Sequence, residues 1–430
     1  MVKFGTDGIR GIYGEEITLD LAFKIGLALA KTQRGAQIVV GRDNRPGGRE
    51  LLASLCGGIR FGGGVASVVG VCTTPCISFL TENGSFDYGV MITASHNPPE
   101  YNGIKVVSSG GTKITPETER SIEKMIECPP QITDIGKIKH AAALKEGYVN
   151  FLRLVLPKTK LKIVVDCSNG ASRNFAKQIF KKDAIFTGQK GGTHINYNCG
   201  ATHPEHLQKV VIKTGADVGF AFDGDADRII VATKQRIYDG DNILFLLAKY
   251  YKDFRTSIKS IVSTKMSNMG LEEELNKLGI ELIRTDVGDK FVVGEMQKRN
   301  LVLGGEQAGH IILSEFVNSG DGLLVSLVLL HAIEHFKKSV DELLYFERFP
   351  QVERSVVVKN KTQTITSKSV VGYIEQKKQI LNGSGRLLVR ESGTEPKIRI
   401  MVECKDGELA KAIANELDEK IVEVDKLCVE

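Results

Sequence analysis

No run of apolar residues in this 430-residue sequence is long enough to cross a bilayer. The longest candidate, Gly-Leu-Leu-Val-Ser-Leu-Val-Leu-Leu-His-Ala-Ile at 322–333, predicts a buried helix instead. The first residues, MVKFGTDGIRG, lack the apolar segment of a secretory signal. No Cys-x-x-Cys pair occurs. Eight cysteines are scattered, and only Cys72 and Cys76 lie close together. That pattern predicts reduced thiols and a cytoplasmic protein with no membrane association. Strong charge of one sign is also lacking. A net charge of +5, evenly spread, is too mild to imply nucleic acid. It is compatible with a local basic site for an anionic small molecule. Tryptophan is absent, which excludes no class.

What is present is an ordinary globular composition, 42% hydrophobic and 25% charged. The length exceeds what one core usually supports, so several domains are expected. A threefold pattern organises most of the chain. Gln37-Ile-Val-Val-Gly, Lys162-Ile-Val-Val and Ser260-Ile-Val each read as a strand feeding a polar turn and a helix. A second strand follows in each unit and ends in a chemically rich loop. Tyr88-Gly-Val-Met-Ile leads to Thr93, Asp217-Val-Gly-Phe-Ala-Phe to Asp223, and Leu301-Val-Leu to Gly304. The tail differs and reads as strands and helices of a small α+β domain. The expected ranges are 1–147, 148–252 and 253–352 for three similar α/β domains, then 353–430 for the α+β domain. Polar loops at strand ends are where open α/β sheets bind ligands.

Thr93-Ala94-Ser95-His96-Asn97-Pro98, with Lys105 downstream, places a hydroxyl beside a proton carrier and a cation. That suits a phosphate carrier or nucleophile; Ser, Asn and Pro also suit a plain turn. Asp223-Gly-Asp225-Ala-Asp227-Arg228 can turn three carboxylates onto one hard cation. An EF-hand is excluded by Arg228 at the sixth position and Lys234 at the twelfth. Glu306, Gln307 and His310 on a glycine-rich loop suit sugar hydroxyls or an amine, although His310 could equally be a structural hydrogen-bonder. Arg390-Glu391-Ser392-Gly393-Thr394-Glu395-Pro396, followed by Lys397 and Arg399, has the composition of a phosphate cradle or of a solvated turn.

Taken together, the four loops resemble those of the α-D-phosphohexomutase superfamily, in order and over essentially the whole chain. The resemblance implies three similar α/β domains and a fourth closing domain around a central cleft. It implies a phosphoserine at Ser95, with His96 and Lys105 as acid/base groups and Arg10 holding the serine loop. One Mg²⁺ would sit on Ser95, Asp223, Asp225 and Asp227. Glu306, Gln307 and His310 would bind the sugar, and Arg390, Ser392, Gly393, Thr394 and Arg399 its phosphate. The partner would be a small sugar phosphate, with a sugar 1,6-bisphosphate as intermediate and activator, and the protein a monomer or homodimer. Gln307 stands where relatives using mannose or glucose phosphates usually carry Met. With the similar stretches Phe4-Gly-Thr-Asp-Gly-Ile-Arg10-Gly, Thr285-Asp-Val-Gly-Asp-Lys290, Gly305-Glu-Gln-Ala-Gly-His-Ile and Ser319-Gly-Asp-Gly-Leu-Leu, the resemblance implies a reaction that interconverts glucosamine 6-phosphate and glucosamine 1-phosphate, supplying UDP-N-acetylglucosamine synthesis. The alternatives are a mannose or glucose phosphate mutase, or a non-catalytic sugar-phosphate binding protein. Two positions depart from the family pattern: Lys290 where Arg is usual and Ala308 where Ser is usual. Lysine cannot reproduce the planar fork of arginine.

Overall fold

A computed structural model of the protein describes all residues except 1–2, 6, 132–133, 182–183, 255–257, 393–394 and 428–430. The chain divides into two compact units, Met1–Ser267 with Leu278–Tyr345, and Asn268–Lys277 with Phe346–Glu430.

The first unit carries three sheets. The first has β1 (Ile9–Ile12), β2 (Gln37–Arg42), β3 (Val65–Val71), β4 (Tyr88–Ile92), β5 (Tyr101–Ser108) and β6 (Lys137–His140) in the order β1-β5-β4-β2-β3-β6. The second has β7 (Ile163–Asp166), β8 (Ala184–Thr187), β9 (Val218–Phe222), β10 (Ile229–Ala232) and β11 (Ile237–Tyr238), ordered β11-β10-β9-β7-β8. The third has β12 (Ser260–Thr264), β13 (Glu281–Thr285), β14 (Leu303–Gly305) and β15 (Ile311–Leu313), ordered β13-β12-β14-β15.

One pattern recurs in all three. A central strand (β2, β7 or β12) is parallel to the next strand in sequence on one side. On its other side it is parallel to β4, β9 or β14. That strand in turn pairs antiparallel with β5, β10 or β15. The repeat read from the sequence is therefore a repeat of topology. Each chemically rich loop is the hairpin connection that closes the antiparallel pair. The strands leading in are continuous apolar runs because both faces are covered; Val-Gly-Phe-Ala-Phe of β9 is buried throughout.

Caps fix the helices nearest these loops. Thr73 caps the helix Thr74–Asn83 by accepting from the Cys76 N–H at 3.3 Å. Asp321 caps the helix Gly322–Phe336 through the Leu324 N–H at 3.0 Å. This second helix contains the long apolar run and is buried along most of its length. Among the described residues, no helix is long and apolar enough to cross a membrane. The described cysteines are all free thiols.

The second unit holds β16 (Gln351–Val357), β17 (Gly385–Glu391) and β18 (Lys397–Cys404), all antiparallel in the order β16-β18-β17. Helices Lys368–Leu381 and Gly407–Leu427 supply Val370, Leu381, Ile413, Leu417 and Ile421 to its core. There they meet Val356, Ile398, Ile400 and Val402 from the sheet, giving the α+β arrangement expected of the tail.

Candidate active site

Ser95 lies just past β4 with φ of 49°, in the left-handed region where side-chain-bearing residues are uncommon. Such a conformation persists when its surroundings over-determine it, and here they do. The Ser95 N–H donates to Thr93 Oγ1 at 2.9 Å. The Ser95 carbonyl accepts from Arg45 Nη2 at 3.0 Å and from Asn196 Nδ2 at 2.8 Å. Arg45 is buried and its Nε pairs with Asp43 Oδ2 at 2.8 Å. Its Nη1 donates to the carbonyls of Pro98 at 2.8 Å and Tyr101 at 2.7 Å. Arg10, expected to hold this loop, reaches it at Asn97 Oδ1, 3.2 Å away, and pairs with Asp7. Arg45 is the loop's main anchor and was not singled out from the sequence. The polar turn Arg42-Asp43-Asn44 after β2 marked the place but not the residue.

The hairpin from β9 to β10 brings Asp223, Asp225 and Asp227 together. All three are buried, and one carboxylate oxygen from each lies within 4.8 Å of the others. Ser95 Oγ donates to Asp223 Oδ2 at 2.5 Å and lies 3.4 Å from Asp227 Oδ1. Lys105, on β5, donates to Asp225 Oδ2 at 2.9 Å and Asp227 Oδ2 at 2.7 Å. Thr74 Oγ1 donates to the same Asp225 oxygen at 2.5 Å. The other Asp225 oxygen, Oδ1, is buried with no hydrogen-bond partner. The closeness of the serine and acidic loops needs Gly224, where a Cβ would stand 2.6 Å from the Ser95 carbonyl oxygen.

Three buried carboxylates this close cannot all stay charged without compensation. Burial, then the charges of Asp227 and Asp225, push Asp223 well above the usual carboxylate range. Burial also opposes ionisation of Asp227, but Lys105, His310 and Arg228 outweigh it and hold that carboxyl well below the range. An orphaned carboxylate oxygen inside a cluster short of positive charge fits a hard divalent cation with oxygen ligands. Burial opposes protonation of Lys105, yet Asp225, Asp227 and Asp7 hold its pKa well above the ordinary lysine value. His96 behaves oppositely. Its Nδ1 is 3.5 Å from Ser95 Oγ. Burial, then Arg228 and Arg10, lower its pKa to about 4, so the ring is neutral at pH 7.

The hairpin from β14 to β15 carries Glu306, Gln307 and His310. Glu306 is half-buried, and its Oε1 accepts from the Gly288 N–H at 2.9 Å. Gln307 is half-buried and Ala308 exposed. His310 is buried, and its Nε2 accepts from the Gly320 N–H at 3.1 Å. Burial disfavours its charge, while Asp227 and Asp289 draw its pKa up to about 9. A ring protonated at that pKa has no lone pair on Nε2, so the Gly320 hydrogen bond belongs to the neutral ring, whereas the approaches of Nδ1 to Asp227 at 3.8 Å and of Nε2 to Asp289 at 3.5 Å belong to the protonated one. The side chain read as a sugar ligand thus faces the acidic cluster. A cavity of about 340 Å³ opens beside it, lined by Asp7, Lys105, Asp227, Asp289, Lys290 and His310 among others. Lys290 lies over the Phe291 ring, 5.4 Å from its centroid. Arg228, also unassigned from the sequence, leaves Nε without a hydrogen-bond partner. Burial works against its charge, but Asp227, Asp223 and Glu306 raise its pKa.

In the second unit, Arg390 on β17 stands directly opposite Arg399 on β18. Like charges directly opposite on a sheet are destabilising, so this pair favours an anion. Ser392 is buried, its Oγ accepting from the Glu395 N–H at 3.4 Å. Arg399 also donates to Glu395 at 3.2 Å. Gly393 and Thr394, named with them from the sequence, lie outside the described residues.

Four family models match the chain in order. These are phosphoglucomutase/phosphomannomutase alpha/beta/alpha domain I over residues 1–131, domain II over 139–236, domain III over 239–349 and the C-terminal domain over 352–420. The chain belongs to the phosphoglucomutase/phosphomannomutase family of phosphomutase enzymes. Within it, the chain is 40% identical to the phosphoglucosamine mutase of Clostridioides difficile, over 97% of this chain and 99% of that one. It is 41% identical to the phosphoglucosamine mutase of Thermoanaerobacter pseudethanolicus, over 97% and 98%. Among solved structures, a phosphoglucomutase/phosphomannomutase family protein from Burkholderia thailandensis superposes with a TM-score of 0.83 at 26% identity, covering 97% of each chain. Aspergillus fumigatus N-acetylphosphoglucosamine mutase, solved with GlcNAc-6P and magnesium, shares the fold with a TM-score of 0.70 at 17% identity, covering 99% of this chain and 96% of that one.

Proposed function

We propose that the chain interconverts glucosamine 6-phosphate and glucosamine 1-phosphate through phosphorylated Ser95. The observation that carries the reading is the Ser95 hydroxyl, 2.5 Å from Asp223 within a cluster of three buried carboxylates. Phosphoryl transfer needs chiefly positioning and neutralisation of charge. In the first half, the phosphorus–oxygen bond to Ser95 breaks as a sugar hydroxyl oxygen bonds to phosphorus. The hydroxyl proton passes to a base, and Ser95 Oγ regains a proton. His96, neutral and 3.5 Å from Oγ, suits acceptance of a proton. Lys105, firmly protonated on the acidic cluster, suits donation and charge stabilisation. The 1,6-bisphosphate so formed turns over in the site and returns its other phosphoryl group to Ser95.

Asp223, Asp225 and Asp227, together with a Ser95 oxygen, would hold one Mg²⁺. When bound, that ion supplies further neutralisation of phosphoryl charge. Arg45 and Arg10 keep the serine loop in register. Glu306 suits a 2-ammonium group, with Gln307 and His310 beside it on the loop. Arg390, Ser392 and Arg399, with Gly393 and Thr394, suit the phosphate that is not reacting. The reaction belongs to the cytoplasm, where sugar phosphates are made and consumed, and the protein acts as a monomer or homodimer. The test is kcat/KM for glucosamine, glucose and mannose 1-phosphates under identical Mg²⁺ and bisphosphate. The value for glucosamine 1-phosphate is expected to be highest, since a charge-assisted contact is about twice as strong as a neutral one. Equal or better use of mannose 1-phosphate would reassign the substrate.

A further inference from the structure

Asp289, at the end of the Thr-Asp-Val-Gly-Asp stretch, has no part in the reading above. Its Oδ1 lies 2.5 Å from the Nζ of Lys113, which follows β5. The same Nζ lies 2.7 Å from Asp7 Oδ1. The other Asp7 oxygen, Oδ2, is 3.1 Å from Lys105 Nζ. The other Asp289 oxygen, Oδ2, is 3.5 Å from His310 Nε2. Lys105 and His310 both face Asp227, at 2.7 and 3.8 Å. The side chains therefore close a ring in the order Lys113, Asp7, Lys105, Asp227, His310, Asp289. Lys113 occupies the place across the ring from Asp227. It joins the strand that carries Lys105 to the helix that begins at Asp289, hence the first repeat to the third.

We propose that Lys113 is a positioning residue of the reaction, acting through Asp7 on Lys105 and through Asp289 on His310. Asp7 competes with Asp225 and Asp227 for the one ammonium group of Lys105. Lys113, with Arg10, offsets the charge of Asp7 and so leaves Lys105 on the acidic cluster beside Ser95. Without Lys113, Asp7 and Asp289 lose the cation they share in a partly buried setting. Lys105 is then drawn toward Asp7. The loss falls on the chemical step rather than on sugar binding, because Lys105 serves the transferring group.

The inference rests on the mutase reading. Its test is steady-state kinetics of the full chain with Lys113→Met, Lys113→Arg and Lys113→Met/Asp7→Asn, alongside thermal unfolding. Lys113→Met is expected to lower kcat about tenfold to a hundredfold, the range for a misplaced reacting group. KM should stay within about twofold. Lys113→Arg should recover most of the loss, and the double variant should turn over faster than Lys113→Met alone. An unchanged kcat in Lys113→Met would overturn the proposal. So would a loss that follows the melting temperature and is not rescued by arginine. Absence of turnover in the unaltered chain would remove the mutase reading, and this proposal with it.

Discussion

At the residue scale, the site is a problem of crowded charge. Ser95, three aspartates and Lys105 share a volume with no room for full hydration. Each group's protonation is therefore set by its neighbours rather than by its type. His96 gives a direct check. Its folded pKa of about 4 lies below the ordinary 6.5 of an unfolded chain. As pH falls, the unfolded state therefore binds the proton first. The stability His96 contributes is complete above about pH 6.5 and is lost as pH falls through about 4. Ring-proton NMR should place its midpoint near 4, and the melting temperature of a His96→Asn variant should fall less steeply over that window. A midpoint near 6.5 would remove the assignment of a buried neutral base. Asp225 gives a second check, because its Oδ1 is the buried oxygen without a partner. Asp225→Asn should weaken Mg²⁺ binding by at least about tenfold in calorimetry, with the circular dichroism spectrum unchanged. Undiminished affinity would place the ion elsewhere.

At the scale of elements, the site is built from hairpin connections, and that decides what the sequence could show. The loops carrying Ser95, the three aspartates and residues 306–310 were legible as loops because each follows an apolar strand and changes abruptly to polar residues. The three strand–loop–helix units and the small α+β tail were legible for the same reason. Arg45 was not. Its role depends on the turn after β2 lying against the carbonyls of Ser95, Pro98 and Tyr101, fifty or more positions away along the chain. Asp7 and Thr74 escaped notice likewise, since their partners Lys105 and Asp225 are distant in sequence. The orientation of His310 follows from the Gly320 N–H, which no local pattern announces. The close approach of two loops yields a prediction of its own. In Gly224→Ala the new Cβ meets the Ser95 carbonyl oxygen at 2.6 Å, so one loop must move. Turnover should fall about a hundredfold, as for a reacting group displaced by about 1 Å. Full activity in that variant would show that the loops tolerate separation.

At the scale of the whole molecule, three copies of one topology each present one loop, and a different kind of unit presents two opposed arginines. The opposition of Arg390 and Arg399 on neighbouring strands is unfavourable and is offset, among the described residues, only by the Glu395 carboxylate beside Arg399. Arg390→Met should therefore leave the melting temperature unchanged or slightly higher while raising KM for the sugar phosphate about tenfold. A melting temperature lowered with KM unchanged would assign the arginine to structure alone. Peptide mass mapping tests whether Ser95 carries the phosphoryl group between substrates. The chain is incubated with glucosamine 1,6-bisphosphate, mapped, then exposed to glucosamine 6-phosphate and mapped again. A phosphoryl mass is expected on the peptide containing Ser95, to be lost on addition of the monophosphate, with neither signal nor turnover in Ser95→Ala. Turnover of glucosamine phosphate by Ser95→Ala at the rate of the unaltered chain would contradict that role of Ser95.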